Sequence, residues 1–205
     1  PDNAARASGG STWTTGSYDP DLDIVYWGVG NPSPWNPLDR KGDNLFTNTI
    51  LAFKPKTGEY VWYYQTSPND PFDHDNVNTL MLADITVGGS PRKVVMQASR
   101  NGFFYVLDRS NGKLLAANKY VKVTWADRVD MTTGRPVWSE DTKKILNGVA
   151  KIQSWPFIAG GTNWFPASFS PMTGLAYVNT FNIGVEYKPL PADSVKNLME
   201  GDRSG

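Results

Sequence analysis

The chain has 205 residues, and 20 Lys and Arg balance 20 Asp and Glu, so its formal net charge is zero. The lack of a basic excess argues against nucleic acid as a partner. Cysteine is absent, which excludes disulfides, thiol catalysis and thiolate metal sites. No apolar run reaches the length of a membrane-spanning helix.

Short apolar, β-branched and aromatic runs alternate with clusters of Gly, Pro, Asn and Asp, a pattern typical of β-strands joined by turns. The predicted strands cover residues 23–27, 49–53, 60–64, 93–97, 103–107 and 175–179. Long helical periodicity is missing, apart from a short helix predicted near 192–199. The pattern predicts an all-β fold, either a sandwich, a barrel or a propeller.

A hairpin signature recurs along the chain, in residues 52–62, 106–115, 129–138 and 169–177. Each copy reads as strand, polar turn and strand, with a Gly where the turn needs a left-handed residue. The aromatic that follows the turn at Trp62 and Trp138 favours a shared docking role between repeats. Four unrelated hairpins are the alternative, but repetition favours a propeller.

Two aspartates, Asp73 and Asp75, flank the sole histidine, His74, in a Pro-rich segment. Aspartates two residues apart can both direct oxygens at a hard cation, and the amide of Asn31 could add a neutral oxygen ligand. The same pattern is also typical of turns, so both interpretations stay open. If both carboxylates face inward, we expect His74 to point away from them.

Several motifs, in the same order, resemble the pyrroloquinoline quinone (PQQ)-dependent alcohol dehydrogenases. They are GVGNPSPWN at 28–36, RKGDNL at 40–45, DPFD at 70–73 and SRNGFFYVLDRSNGKL at 99–114. The resemblance runs from Trp13 to about Tyr187 and is closer to the ethanol-type than to the methanol-type enzymes.

The resemblance implies that residues 1–205 are a segment of one eight-bladed β-propeller domain, comprising about three blades with tryptophan-docking motifs. Lys54 and Ser170 replace the Asp that usually opens the family's turns. Because the family's subunits are much longer, we expect this chain to be an internal piece of a larger polypeptide.

The resemblance also implies a metal site and a catalytic base. Asp73 matches the carboxylate that takes the alcohol's proton while hydride passes to PQQ, and Asn31 matches a metal ligand. The family's Glu ligand lies outside this chain. The lanthanide-dependent branch has an Asp where Asp75 stands, as suits a trivalent ion. The alternative is calcium, with Asp75 as a surface residue.

Four further residues match cofactor-binding positions of the family. Trp13 matches the indole that forms a floor under the PQQ ring, and Arg100 matches a cation near the quinone oxygens. Asn163 and Trp164 match a cofactor-facing segment that follows a variable loop at 140–155. Arg109, by contrast, is interpreted as a surface turn residue.

The resulting expectation is a periplasmic enzyme that oxidises a small primary alcohol to the aldehyde, with a lanthanide ion and PQQ as cofactors. Cytochrome c is the expected electron acceptor, a homodimer is possible, and no nucleic acid is involved. A non-catalytic propeller scaffold is the alternative from another class. Such scaffolds share the tryptophan repeats but lack the combination of Asn31, Asp73 and Arg100.

Overall fold

The structure, a computed structural model, describes residues 8–148 and 151–188, so the helix predicted near 192–199 lies outside the described residues. The described strands are β1 Ser8–Gly9, β2 Ser17–Asp19, β3 Ile24–Gly28, β4 Pro32–Ser33, β5 Thr49–Phe53, β6 Tyr60–Gln65, β7 Met81–Val87, β8 Ser90–Ala98, β9 Phe103–Asp108, β10 Leu114–Lys119, β11 Ala126–Val129, β12 Pro136–Trp138, β13 Ile152–Ser154, β14 Ser168–Ser170, β15 Leu175–Tyr177 and β16 Val185–Tyr187. A 3-10 helix spans Pro37–Asp39 and an α-helix, α1, spans Glu140–Leu146. The six predicted strands coincide with β3, β5, β6, β8, β9 and β15.

Two four-stranded antiparallel sheets dominate the described part of the chain. The first has the order β2-β3-β5-β6 and the second the order β7-β8-β9-β10, so both are simple meanders. Four two-stranded sheets accompany them, formed by the pairs β1-β4, β11-β12, β13-β16 and β14-β15. This is the arrangement expected of successive propeller blades.

The main hydrophobic core lies where the sheets pack against one another. It joins Tyr26, Ile50 and Trp62 of the first sheet to Phe103 and Leu107 of the second. A second cluster on the other face of the second sheet contains Met81, Val94 and Met96. Phe169 and Ala176 of the β14-β15 hairpin pack against it. Each sheet therefore buries its apolar faces against its neighbours, as stacked blades do.

The four predicted hairpins are confirmed, and they share one turn geometry. The turn glycines Gly58, Gly112, Gly134 and Gly174 all have φ between +69° and +73°. Each donates its N–H to the carbonyl four residues earlier, at 2.8–2.9 Å. Where Asp130 opens a turn, its carboxylate accepts turn N–H groups. Lys54, which replaces such an Asp, instead donates its Nζ to the Leu22 carbonyl at 2.7 Å.

The docking role predicted for Trp62 is confirmed. Its indole N–H donates to the Arg109 carbonyl at 3.1 Å, and a Cβ on Gly112 would lie 2.6 Å from the indole ring. Tyr64 makes a comparable link, since its hydroxyl donates to the Gly134 carbonyl at 2.7 Å. Two aromatic side chains of β6 thus contact the turns of the next two repeats. Trp138 is half-buried against the main core.

Residues 140–155, interpreted above as a loop, begin with helix α1. Ser139 caps it by accepting the N–H of Thr142 at 3.3 Å, and Glu140 and Asp141 lie in the first turn, where acidic side chains favour a helix. The Thr142 hydroxyl donates to the Trp125 carbonyl at 2.7 Å and so docks the helix on the core. Within the described residues, no helix is long and apolar enough to cross a membrane.

The interpretation of Arg109 as a surface turn residue is wrong. Its side chain is buried and its Nε lies 2.7 Å from Asp19 Oδ2. Its two terminal nitrogens lie 3.1 Å from Asp21 and 3.0 Å from Asp84. Arg109 follows β9 of the second sheet, whereas Asp19 ends β2 of the first. The guanidinium therefore joins the two sheets, a contact that local sequence does not reveal.

Candidate active site

The loop that carries Asp73 and Asp75 is shaped by a third aspartate, Asp70. The buried Asp70 carboxylate accepts the N–H of Phe72 at 3.3 Å and that of His74 at 2.8 Å. These bonds fold the chain back on itself, and Asp73 adopts a left-handed backbone with φ +60°. Such a conformation in a residue with a side chain is uncommon and is enriched at functional sites.

A buried arginine, Arg40, fastens this loop to the preceding one. Its Nη2 donates to the carbonyls of Trp35 and Asp70, both at 2.9 Å, and its Nη1 donates to Asn69 Oδ1 at 3.1 Å. The Nε donates to the Pro34 carbonyl at 2.5 Å. Arg40 thereby holds the two loops that carry the predicted metal ligands side by side.

Asn31 and Asp75 lie together, but the link between them is through the main chain. The Asn31 N–H donates to Asp75 Oδ1 at 2.7 Å, whereas the Asn31 side chain donates to the Pro32 carbonyl at 3.0 Å. A Cβ on Gly30 would lie 2.5 Å from Asp75 Oδ1, so only glycine permits this close approach. The structure therefore brings Asn31 to the site while its amide remains locally bonded.

Arg100 places a positive charge beside both carboxylates of the site. Its Nη1 lies 2.6 Å from Asp75 Oδ2, and its Nη2 lies 3.9 Å from Asp73 Oδ2. The same Nη2 donates to the Ile158 carbonyl at 2.9 Å. Since Arg100 and Asp75 are both buried, their contact is a short, charge-assisted ion pair in a protected environment.

The Asp73 carboxylate has fewer polar partners than the Asp75 carboxylate. Among the described residues, its nearest charged partner is Arg100 at 3.9 Å, and no hydrogen bond reaches it. Burial raises its pKa to about 7, against a smaller opposing effect of Arg100, while Asp75 and Asp70 add to the rise. Burial therefore makes Asp73 a stronger base than an exposed aspartate, which suits the role predicted for it.

Trp13, which the resemblance matches to a cofactor floor, lies beside Asp75. Its indole N–H donates to Asp75 Oδ2 at 3.2 Å, which fixes one edge of the ring. About half of the side chain, 49 %, remains exposed. A planar anion could therefore stack on the free part of the ring next to Arg100.

His74 points away from the two carboxylates, as expected. It is fully buried, and its ring lies 5.5 Å from Phe72 and 6.4 Å from Trp125 between centroids. Its Nε2 is 3.3 Å from the Phe157 carbonyl. Burial lowers its pKa, against a smaller opposing effect of Asp70. His74 is thus a neutral core residue beneath the site.

Asn163 and Trp164 lie on a loop next to Arg100. The Asn163 side chain donates to the Ala159 carbonyl at 3.0 Å, and the main-chain carbonyl of Asn163 accepts from the Asn78 side-chain amide at 2.6 Å. Trp164 is 58 % exposed and stacks on Phe165 with 5.1 Å between ring centroids. The loop is therefore held mainly through its main chain, with an aromatic pair at its outer side.

The predicted ligands have the chemistry that a hard cation needs, but they are only part of the ligand set that the resemblance implies. Asn31, Asp73 and Asp75 all offer oxygen, which calcium and lanthanide ions prefer. The Asp75 carboxylate already accepts from Asn31, Arg100 and Trp13, which leaves about one lone-pair site. Within residues 8–148 and 151–188, no group of three or more His, Cys, Asp or Glu side chains could hold a metal ion.

Two residues that shape the site were not found from the sequence. Arg40 lay within a motif that carried the resemblance, but nothing in its local pattern indicated burial. Asn78 links segments 22 and 85 residues away, which no local pattern encodes. The only available signal was the density of Asn and Asp in the segment, which indicated turns.

The comparison with known families identifies the fold and the family. Residues 1–133 match the family described as "PQQ: Glucose/ethanol/alcohol dehydrogenase, beta-propeller domain". The chain is 48 % identical over 173 residues to the quinohemoprotein alcohol dehydrogenase ADH IIB of Pseudomonas putida, covering 83 % of this chain and 25 % of that protein. It is 43 % identical over 188 residues to the lanthanide-dependent methanol dehydrogenase of Methylacidiphilum fumariolicum (strain SolV), covering 91 % and 31 %.

A solved structure gives the same result. The quinohemoprotein alcohol dehydrogenase ADHIIG of Pseudomonas putida HK5 superposes with a TM-score of 0.85 at 42 % identity, covering 89 % of this chain and 27 % of that one. The chain thus spans about a quarter to a third of the length of these relatives. The resemblance inferred from the motifs is confirmed, as is the partial propeller. The chain belongs to the PQQ-dependent glucose, ethanol and alcohol dehydrogenases, as a part of their β-propeller domain.

Proposed function

We propose that this chain supplies the catalytic base and one side of the cofactor site in an enzyme that oxidises a small primary alcohol to the aldehyde. The observation that carries the proposal is the Asp73 carboxylate. It has a left-handed backbone, no hydrogen-bond partner among the described residues, and the buried guanidinium of Arg100 at 3.9 Å. A carboxylate with no hydrogen bond of its own, held beside a fixed cation, can accept a proton from a bound substrate.

In this reaction Asp73 accepts the proton of the alcohol hydroxyl. PQQ, when bound, would supply the two-electron acceptor for the hydride that leaves the carbon bearing that hydroxyl, which becomes the aldehyde carbon. Arg100 provides a fixed positive charge where negative charge develops on oxygen, and its ion pair with Asp75 holds it in place. Trp13, tied to Asp75 by its indole N–H, offers the face on which a planar ring is oriented.

For the metal we propose a lanthanide ion, held by Asn31, Asp73 and Asp75 together with ligands from outside this chain. A second carboxylate compensates the additional charge of a trivalent ion, and a relative is named as lanthanide-dependent. Such an ion would lower the pKa of Asp73 and act as a Lewis acid near the reacting carbonyl.

Calcium is the second candidate, and one observation favours it. Asp75 already accepts three hydrogen bonds, from Asn31, Arg100 and Trp13, so it could be a structural residue that positions Arg100. The site would then offer one carboxylate, that of Asp73, which suits a divalent ion.

Electron transfer to cytochrome c, a periplasmic location and a possible homodimer complete the proposal. The relatives' name "quinohemoprotein" supports a haem as the next acceptor. Location and oligomeric state are supported by the family resemblance alone.

The test is native purification of the complete enzyme from its source. We expect PQQ on extraction, a lanthanide by elemental mass spectrometry, and reduction of an artificial electron acceptor that depends on a primary alcohol. Detection of calcium in place of a lanthanide would overturn the metal assignment but leave the proposed reaction unchanged. Absence of PQQ and of alcohol-dependent reduction would overturn the proposed function in favour of a scaffold.

A further inference from the structure

We propose that Asn78 is a positioning residue that holds Arg100 and the loop 160–163 together around the cofactor, an inference that rests on the proposed function. Asn78 lies three residues after Asp75 in the chain, at the end of the loop that carries the base. Its side chain is buried, and its hydrogen-bond partners are main-chain groups of Arg100 and Asn163. Its role is therefore to fix other parts of the site.

The Asn78 amide bonds both neighbouring segments at once. Its Oδ1 accepts the main-chain N–H of Arg100 at 3.2 Å, and its Nδ2 donates to the main-chain carbonyl of Asn163 at 2.6 Å. Its own carbonyl accepts from Gln97 Nε2 at 3.0 Å, which fixes Asn78 to strand β8. One side chain thus joins three loops that converge on the site.

The two segments that Asn78 joins also touch each other directly. The Gly161 N–H donates to the Arg100 carbonyl at 2.8 Å. A Cβ on Gly160, which has φ +84°, would lie 2.6 Å from the same carbonyl, so the backbones are as close as glycine allows. Next to Asn78, the Thr79 hydroxyl accepts the N–H of Ala167 at 3.2 Å. A shift of the loop 160–163 would therefore move Arg100 as well.

Only a side chain with a donor and an acceptor on the same planar group can make both bonds. Aspartate has the same shape but would direct a carboxylate oxygen at the Asn163 carbonyl, which repels it. Alanine leaves both main-chain groups without this partner in a buried setting. The requirement for an amide distinguishes Asn78 from a residue that only fills space.

The test compares Asn78→Ala and Asn78→Asp with Tyr64→Phe in the complete enzyme. Tyr64→Phe is the matched control, because it also removes a buried side-chain hydrogen bond to a carbonyl, that of Gly134 at 2.7 Å, in a contact between repeats that does not involve the proposed site. The measurements are PQQ affinity, the rise in melting temperature on adding PQQ, and amide hydrogen exchange at Gly161.

We expect both Asn78 variants to bind PQQ roughly tenfold more weakly than the parent, which corresponds to one or two lost hydrogen bonds. Their rise in melting temperature with PQQ should shrink, and Gly161 should exchange faster. Tyr64→Phe should lower the melting temperature without changing these three readouts. If the Asn78 variants match Tyr64→Phe in all of them, Asn78 has no positioning role.

Failure of both Asn78 variants to fold, with Tyr64→Phe folded, would overturn the inference, because Asn78 would then be a folding residue. Failure of the parent enzyme to bind PQQ would instead overturn the proposed function and this inference with it. The two failures are therefore distinguishable.

Discussion

Removal of the Arg109 guanidinium is expected to remove the buried ion pair between the two four-stranded sheets and to lower stability. Arg109→Met keeps most of the length and apolar volume of the side chain but removes its charge and donors. The Asp19 carboxylate, of which 1 % is exposed, then stays in the interior without its ion-pair partner at 2.7 Å.

The magnitude follows from what remains around Asp19. An uncompensated buried charge costs about 3–5 kcal/mol of folding free energy. Asp19 retains the N–H of Asp21 at 3.0 Å and a weaker contact with the N–H of Leu22 at 3.4 Å. The Tyr26 hydroxyl lies 3.4 Å from Asp19 but donates its proton to the Arg109 carbonyl at 2.8 Å. These partners place the expected loss at the lower end, about 3 kcal/mol.

Lys93→Met is the control, because Lys93 also pairs with Asp21, at 2.5 Å, but in an exposed position. An exposed pair contributes about 0–1 kcal/mol. The assay is the free energy of unfolding of the complete enzyme in denaturant, for the parent, both single variants and Asp19→Asn combined with Arg109→Met. The combined variant should recover stability relative to Arg109→Met, since it removes the unpaired charge.

Two results would refute this reasoning. Equal losses in Arg109→Met and Lys93→Met would mean that burial of the Arg109 pair adds nothing. No recovery in the combined variant would mean that the unpaired Asp19 carboxylate is not the cause of the loss.

Three further predictions concern the site itself. Trp13→Ala should weaken PQQ binding by roughly 1–3 kcal/mol through the lost stacking surface, seen as lower PQQ content after dialysis. Unchanged PQQ content would remove Trp13 from the site. Asp75→Ala should cause a far larger loss of lanthanide-supported activity than of calcium-supported activity. Equal losses with both metals would favour calcium. Burial lowers the pKa of His74 from 6.5, so below about that pH the unfolded chain takes up a proton that the folded chain does not. The unfolding free energy of the cofactor-free parent should therefore fall more between pH 7 and 5 than that of His74→Gln, and equal falls would contradict the burial of a neutral His74.

The strands found from the sequence were those with dense β-branched and aromatic residues. Strand β10 was predicted only through the hairpin at 106–115, because its residues, LLAANK, have weak strand propensity. Strand β7 was missed because Ala83 and Asp84 interrupt its apolar run. Helix α1 was missed because seven residues give little periodicity, although Ser139 followed by Glu140 and Asp141 is a start signal.

The site residues predicted from the sequence lie in or near motifs, whereas residues that act through contacts between distant segments were missed. Asp73 and Arg100 lie in runs that match the family, with Asp75 two residues after the first, and Arg100 lies 3.9 Å from Asp73 and 2.6 Å from Asp75. Asn78 and Arg109 act through partners far away in the chain. Their residue types fit a turn equally well, so only packing reveals their roles.

The measurement that tests the central claim most directly is the Asp73→Asn variant of the complete enzyme, assayed for alcohol oxidation and for PQQ content in the same preparation. The amide keeps the shape of the carboxylate but cannot take the hydroxyl proton. The account predicts loss of alcohol-dependent reduction of the artificial acceptor, with PQQ still bound. Undiminished turnover with bound PQQ would show that Asp73 is not the base.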